Sequence, residues 1–338
     1  MTHSSHRTSG RIAHPPWAAT ARLPFVSWLL ALALLGMAAN AAASCGSAFC
    51  SINTDWQALG LGVQRGWRLK VQYEFIDQDR LRAGSDDASH AEPGAEHEEV
   101  RTVNRNWLTT VDYGIDDHWG INLTAPFLNR DHEHIHDPFG DAERETWHFS
   151  DLGDLRLQGR YQWRSGANGQ VLAWVTFGAK LPTGKFHVAN DAGEEAERTL
   201  QPGTGTTDLL VGGYAQLRLP PDWGSLFGGV SFQTPLNERN GFRPGTQYHA
   251  DTGWNYPVTR HLGAILQADL TYKTRDRGPD AEPEDSGLTT LSVSPGLSLS
   301  LGRATRLYTF VQLPAYQHVN GVQLTYHAAW VAGVSVSF

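Results

Sequence analysis

Charged side chains recur at alternate positions along this chain, and that spacing is its first chemical signal. Arg68, Lys70 and Glu74 share one parity, as do Asp154, Arg156 and Arg160; Lys180, Arg218, Asp251, Asp269 and Lys273 complete the set. Residues two apart on a strand point the same way, so each group would line one face. Cations gathered on such a face would favour anionic solutes. Paired with the acids, the same residues would instead form a salt-bridge network across a narrow interior. Spacing along single strands leaves both arrangements open.

His132, His134 and His136 repeat at the same period, flanked by Asp131, Glu133 and Asp137. Three imidazoles facing one way could take zinc, copper or nickel; a solvated acidic loop is the alternative. Cys45 and Cys50 are the two cysteines. In an oxidising compartment they read as a short disulfide. Lipid attachment at Cys45 is a rival, and two thiols alone fall short of the four ligands that zinc usually takes. Nucleophilic catalysis has little to work with. There is no Gly-x-Ser-x-Gly segment, and His249 and His327, both expected to face inward, have no evident Ser partner. These residues point to no enzyme and call for no cofactor.

Strands must position these side chains. In Asp154–Trp163 the residues Leu155, Leu157, Tyr161 and Trp163 alternate with charged and amide residues. Trp67–Phe75, Val171–Leu181 and Leu291–Leu301 alternate as cleanly. The last run, 321–338, sets Trp330, Ala332, Val334, Val336 and Phe338 against mostly small or polar residues, so the odd positions 323–337 form one wall of the lumen. Further runs lie near 103–115, 119–129, 208–219, 224–235, 248–258, 261–273 and 305–317, giving about twelve in all. Each suits a tilted transmembrane strand of ~9–11 residues. Long acidic connections (77–101, 130–150, 183–207, 237–247, 274–286) alternate with tight turns at 116–118, 164–169, 220–222, 259–261 and 302–304. Long outer loops and short periplasmic turns are the asymmetry of outer-membrane barrels. Trp67, Trp107, Trp119, Trp163, Trp223, Tyr256 and Tyr272 fall near strand ends, where interfacial girdles belong. Apart from the N-terminal stretch no apolar run approaches membrane-helix length, so a spanning chain must close into a barrel. The expected fold is all-β: a transmembrane antiparallel up-and-down β-barrel of twelve strands over residues 67–338, in the bacterial outer membrane.

Residues 1–43 read as a signal peptide, with Arg7, Arg11 and Arg22 ahead of an apolar stretch from Phe25 to Ala39. Residues 44–66 then form a periplasmic segment carrying the Cys pair. Removing 1–43 takes away three basic and no acidic residues, moving the net charge from −8 to −11. An acidic exported chain argues against a nucleic-acid partner. The expected partners are membrane lipid and lipopolysaccharide, a small solute, and the barrel-assembly machinery through the terminal Phe338.

Two short motifs punctuate the longest loop. Leu181-Pro182-Thr183-Gly184 ends one strand, and Pro202-Gly203-Thr204-Gly205, with Asp208, opens the next. Pro donates no ladder bond and Gly permits positive φ, so both motifs turn the chain. The bracketed loop either folds into the barrel mouth as a constriction or lies on the surface. With the segments around them, these motifs resemble the MetA-pathway of phenol degradation family of outer-membrane proteins. The resemblance implies a barrel for uptake of small, often aromatic or hydrophobic molecules. Three functions stand at this point: a passive channel for small solutes, a non-conducting structural or adhesive barrel, and a surface metal-binding protein using the His residues.

Overall fold

The computed structural model describes residues 44–45, 54, 65–88, 97–136 and 143–338. The expected signal peptide and the Cys45–Cys50 disulfide lie outside the described side chains. Twelve strands form the wall: β1 (Gly66–Ala83), β2 (His97–Gly114), β3 (Trp119–His136), β4 (Glu143–Leu152, continuing as Leu155–Ser165), β5 (Val171–Leu181) and β6 (Asp208–Arg218). They continue as β7 (Ser225–Pro235), β8 (Gln247–Pro257), β9 (Leu262–Lys273), β10 (Leu288–Leu301), β11 (Thr305–Val319) and β12 (Val322–Ser337). Each strand pairs antiparallel with its sequence neighbours, and β12 pairs back with β1 from Val322↔Ala83 to Ser337↔Arg68. The closed twelve-stranded barrel expected from the alternation is the fold observed.

Closure leaves no edge, so the backbone is satisfied where lipid offers no partners. The outer face carries exposed Leu, Val and aromatic side chains, among them Leu157, Val175, Val211, Leu266 and Leu297. Aromatic residues bound this band. On β8, Tyr248 and Tyr256 are both exposed, eight residues apart. That is about 26 Å along the strand at ~3.3 Å per residue, and about 20 Å of membrane depth after a ~40° tilt. Trp67, Trp119, Trp163 and Trp223 ring the end that bears the short turns.

Three expectations change. Strands β1 to β4 run well beyond the lipid band, so much of 77–101 and 130–150 is wall rather than loop. Above the lipid the outer face of a strand is polar as well, so the ladder continues after the apolar alternation fades. Exposed ion pairs mark this rim: Arg101–Asp77 at 2.5 Å and Arg144–Glu133 at 3.1 Å. Second, the odd-numbered face of β12 is interrupted. Its register with β1 shifts between Thr325 and Ala329, which turns His327 to the exposed side while Ala329, Val331 and Ser335 are buried. Third, the described residues ahead of β1 meet the barrel wall. Ser44 and Cys45 pair in parallel with Gln323 and Leu324. Thr54 is buried, donating to Gln72 Oε1 at 2.7 Å and accepting from Lys70 Nζ at 3.1 Å.

One irregularity in the wall positions the site. Strand β3 pairs with both parts of β4, Phe127 opposite Leu152 and Thr124 opposite Arg156. Two residues of β3 (Ala125 and Pro126) thus face three of β4 (Gly153, Asp154 and Leu155), which is a β-bulge. Pro126 has no N–H for the ladder, and its carbonyl takes the Gly153 N–H at 2.9 Å instead.

Candidate functional site

The bulge aims Asp154 into the barrel at the height where the 26-residue connection between Leu181 and Asp208 leaves the wall. Asp154 Oδ1 accepts from the Gly184 N–H at 3.0 Å. Its Oδ2 accepts from the Thr204 N–H and hydroxyl, both at 3.0 Å, and from Lys180 Nζ at 2.6 Å. Lys180 also donates to Thr206 O at 2.9 Å and lies 3.4 Å from Asp208. Asp208 in turn accepts from the Thr206 hydroxyl at 2.7 Å and Gln233 Nε2 at 2.6 Å. One buried cation therefore sits between two buried carboxylates, and five N–H and O–H groups satisfy the remaining acceptor positions.

This latch accounts for both motifs. Thr183 donates to Gly153 O and accepts from the Leu155 N–H, tying the outgoing chain to the bulge. Gly184 and Gly203 meet backbone against backbone; a Cβ on Gly203 would stand 2.5 Å from Gly184 O. The Gly203 N–H donates to Lys185 O at 2.7 Å, closing the neck of the loop.

Beyond the neck, the loop packs into the barrel mouth. Leu200 and Ala196 join Leu81, Trp147 and Leu324 in a buried apolar cluster. Arg130 of β3 donates to Leu200 O, and Trp147 Nε1 donates to Glu194 O at 2.9 Å. Arg198 lies between the rings of Phe186 and Phe242, 4.9 Å from each centroid, and donates to the carbonyls of Thr204, Arg239 and Asn240. Of the two arrangements open from sequence, the inward-folded loop is the one found.

Carboxyl groups gather where this loop meets its neighbours. Glu197 faces Glu99 of β2 and Glu282 and Asp285 of the 274–287 connection. Burial first, and then repulsion from those acids, raises Glu197 well above the carboxylate range. Burial, Asp285 and Asp276 push Glu282 up to about 7. Asp285 is also raised, mainly by burial, although it accepts from the Val322 N–H. A proton held at this junction stabilises the seated loop.

Below the loop lies a cavity of about 330 Å³. Leu128, Leu210, Phe242 and Leu288 contribute apolar wall. Arg130, Arg156, Lys180, Arg198 and Lys273 face it as cations, against the carboxylates of Asp154 and Asp208. Lys273 also pairs with Asp276 at 2.9 Å, and His249 shares its Nδ1 with the Thr271 hydroxyl at 3.0 Å.

The charges expected from sequence to face inward fall into separate groups. Asp154, Arg156, Lys180 and Lys273 surround the cavity. Arg160 bonds Asp112 at 2.8 Å, and Arg68 lies 4.0 Å from the same carboxylate, all three buried toward the periplasmic end. Arg68 and Arg160 thus belong to an ion-pair network, whereas Arg156 belongs to the cavity. Lys70 holds Thr54, and Glu74 accepts from Gln72 and Asn106. Asp251 stands opposite Asp269, which accepts from Gln267 and Ser294. Arg218 lies exposed at the short-turn end of β6. In the periplasmic half, Phe227, Ile265, Tyr308, Phe310 and Val331 form an apolar cluster, with the Tyr308 hydroxyl donating to Gln72.

The His repeat lies on β3 rather than in a loop; period two is the strand's own period. His132 and His134 are buried against Trp147 and take separate partners, the Thr102 hydroxyl at 2.8 Å and Glu145 at 2.7 Å. The His136 side chain lies outside the described set. Among the described residues no group of three or more His, Cys, Asp or Glu is arranged to hold a metal.

Sequence reasoning missed Asp112, Arg130, Glu197, Arg198 and Glu282. Asp112 had a signal: Thr102, Asn104, Asn106, Thr110 and Asp112 all share the inward even parity of β2 and are buried. The two loop glutamates had none, because their proximity depends on how two loops fold.

A family profile described as MetA-pathway of phenol degradation matches residues 98–314. Among solved structures, an outer-membrane channel from Pseudomonas putida F1 is 12% identical with a TM-score of 0.60, covering 82% of this chain and 97% of its own. The transport unit of the autotransporter AIDA-I from Escherichia coli is 12% identical with a TM-score of 0.48, covering 87% and 95%. No curated protein matches the sequence. The closed barrel with its apolar belt places the chain in the bacterial outer membrane.

Proposed function

Because the chain belongs to the MetA-pathway of phenol degradation family, we propose that it is a passive outer-membrane channel for small solutes with an apolar, often aromatic, body. One observation carries the reading: a 26-residue loop is folded into the barrel mouth and latched by Asp154, Lys180 and Asp208 over an internal cavity. A structural or adhesive barrel has no need of a cavity beneath a latched loop. The volume, about 330 Å³, suits one substituted ring, since a dry cavity of ~150 Å³ holds benzene. The loop acts as the outer gate and the cavity as the station below it. The charged outer rim is suited to lipopolysaccharide, and Phe338 to the barrel-assembly machinery.

The test is uptake by proteoliposomes carrying the folded barrel, with single-channel recording in planar bilayers. Discrete conductance steps and faster entry of small aromatic solutes than into protein-free vesicles support the reading. A folded barrel giving neither defeats it.

A further inference from the structure

The short-turn end of the barrel is unevenly charged. Its acids belong to the β2–β3 and β6–β7 side. Asp112 lies between Arg68 and Arg160, Asp116 accepts from the His118 and Trp119 N–H groups, Asp117 pairs with Arg65 at 3.2 Å, and Asp222 is exposed. The β8–β9 and β10–β11 turns carry Arg260 and Arg303 instead, and no acidic residue occurs from Thr252 to Ala268 or after Asp285. Arg306, on the inward face of β11, borders a pocket of about 170 Å³ beside the β8–β9 turn. Ser225, Asn255, Ser298 and Ser300 bring hydroxyl and amide groups to this pocket, and no residue lining it is acidic. The guanidinium has five N–H donors. Among the described residues one acceptor meets them, Ser300 Oγ at 3.0 Å from Nη2, and Nε is buried without any. No charged group among the described residues acts on Arg306. Ser335, opposite it on β12, is buried with its hydroxyl also unpartnered, and the terminal Phe338 bonds to Trp67 of β1 instead. A cation drawn out of water with donors to spare and no counter-charge carries an electrostatic cost that a bound anion removes.

We propose that this periplasmic pocket binds a small oxyanion, a carboxylate or phosphate group, on the Arg306 guanidinium, with Asn255, Ser298 and Ser300 completing the cradle. The planar fork of an arginine matches two oxygens of such a group at once. Free inorganic phosphate and the acid group of a small organic molecule present the same chemistry here. The pocket shares no lining residue with the cavity beneath the latched loop. It also needs no open pore, so its test is independent of the channel reading.

The test titrates inorganic phosphate, acetate and tetramethylammonium against the full barrel in an uncharged detergent, at neutral pH and low salt. Saturable binding of phosphate or acetate is expected, the tighter of the two naming the source, with no binding of the cation. Arg306→Gln should weaken the anion at least about tenfold, the loss of one charge-assisted hydrogen bond. Arg260→Gln, on the exposed turn, should weaken it less than about fivefold, the most that an exposed ion pair supplies. Ser300→Asp sets a carboxylate where Arg306 now donates to a hydroxyl, and that barrel should bind neither anion. This second variant decides the matter if Arg306→Gln lacks the heat-modifiable gel mobility of a folded barrel. Three results overturn the proposal: no saturable anion binding by the wild type, equal binding of tetramethylammonium, or wild-type anion affinity in a folded Arg306→Gln or Ser300→Asp barrel. Equal losses in Arg306→Gln and Arg260→Gln also overturn it, since they would mark a diffuse basic surface.

Discussion

Replacing Asp154 by Asn tests the latch with the smallest change of shape. The side chain keeps its size and loses its charge. Lys180 then keeps Asp208, at 3.4 Å, as the carboxylate of the latch, and the two N–H groups of Gly184 and Thr204 share a single carbonyl oxygen. Breaking a buried ion pair by removing one partner costs about 3–5 kcal/mol. Because Asp208 still compensates the lysine, the expected loss falls at or below the low end of that range, about 2–3 kcal/mol. Much of it is relieved if the loop leaves the mouth, so the undocked population should rise by roughly 30- to 150-fold. Arg198 reports that event, since it is 9% exposed when seated and open to trypsin when released. Cleavage after Arg198 should accelerate by a comparable factor, and channel openings should become more frequent. A folded Asp154→Asn barrel cut at the wild-type rate, with wild-type opening frequency, refutes the latch.

Two further outcomes follow from the same contacts. Glu282 holds its proton up to about 7 in the folded protein against an ordinary 4.5. The docked loop therefore keeps this stabilisation below pH 4.5 and loses it as pH rises through 7. Arg198 cleavage and opening frequency should both increase between about pH 5 and pH 8, and Glu282→Gln should flatten that dependence; a flat wild-type profile contradicts the assignment. Asp112→Ala would leave Arg68 and Arg160 buried without their shared carboxylate, costing about 3–5 kcal/mol. Heat or urea unfolding followed by gel mobility should show the loss, and an unchanged midpoint would show that the pair is compensated elsewhere.

Within the lipid band the fold was legible because solvent differs on the two sides of every strand. Leu155, Leu157, Tyr161 and Trp163 mark one face by their chemistry alone. Above the band that contrast disappears, which is why His132 and His134 read as loop although they lie on β3. A local bulge is equally silent in the sequence. Nothing at Thr325–Ala329 announces that His327 turns outward, since the shift depends on pairing with Ile76 and Gln78 across the closure. The site was legible in parts. Asp154, Lys180, Asp208 and the two glycine-bearing motifs were all visible. Their convergence was not, because it depends on register between β4, β5 and β6 and on the bulge opposite Pro126. Asp112 stands in between, since its parity was readable while its two arginine partners lie on other strands.

Removing the gate itself tests the account most directly. Lys185 and Gly203 are already hydrogen-bonded across the neck, so Phe186–Gln201 can be excised and bridged by two glycines with the latch residues in place. The folded deletion barrel should show larger or more frequent conductance steps than the wild type and faster vesicle entry of small aromatic solutes. Wild-type conductance and entry rates in that barrel would contradict the claim that this loop governs passage.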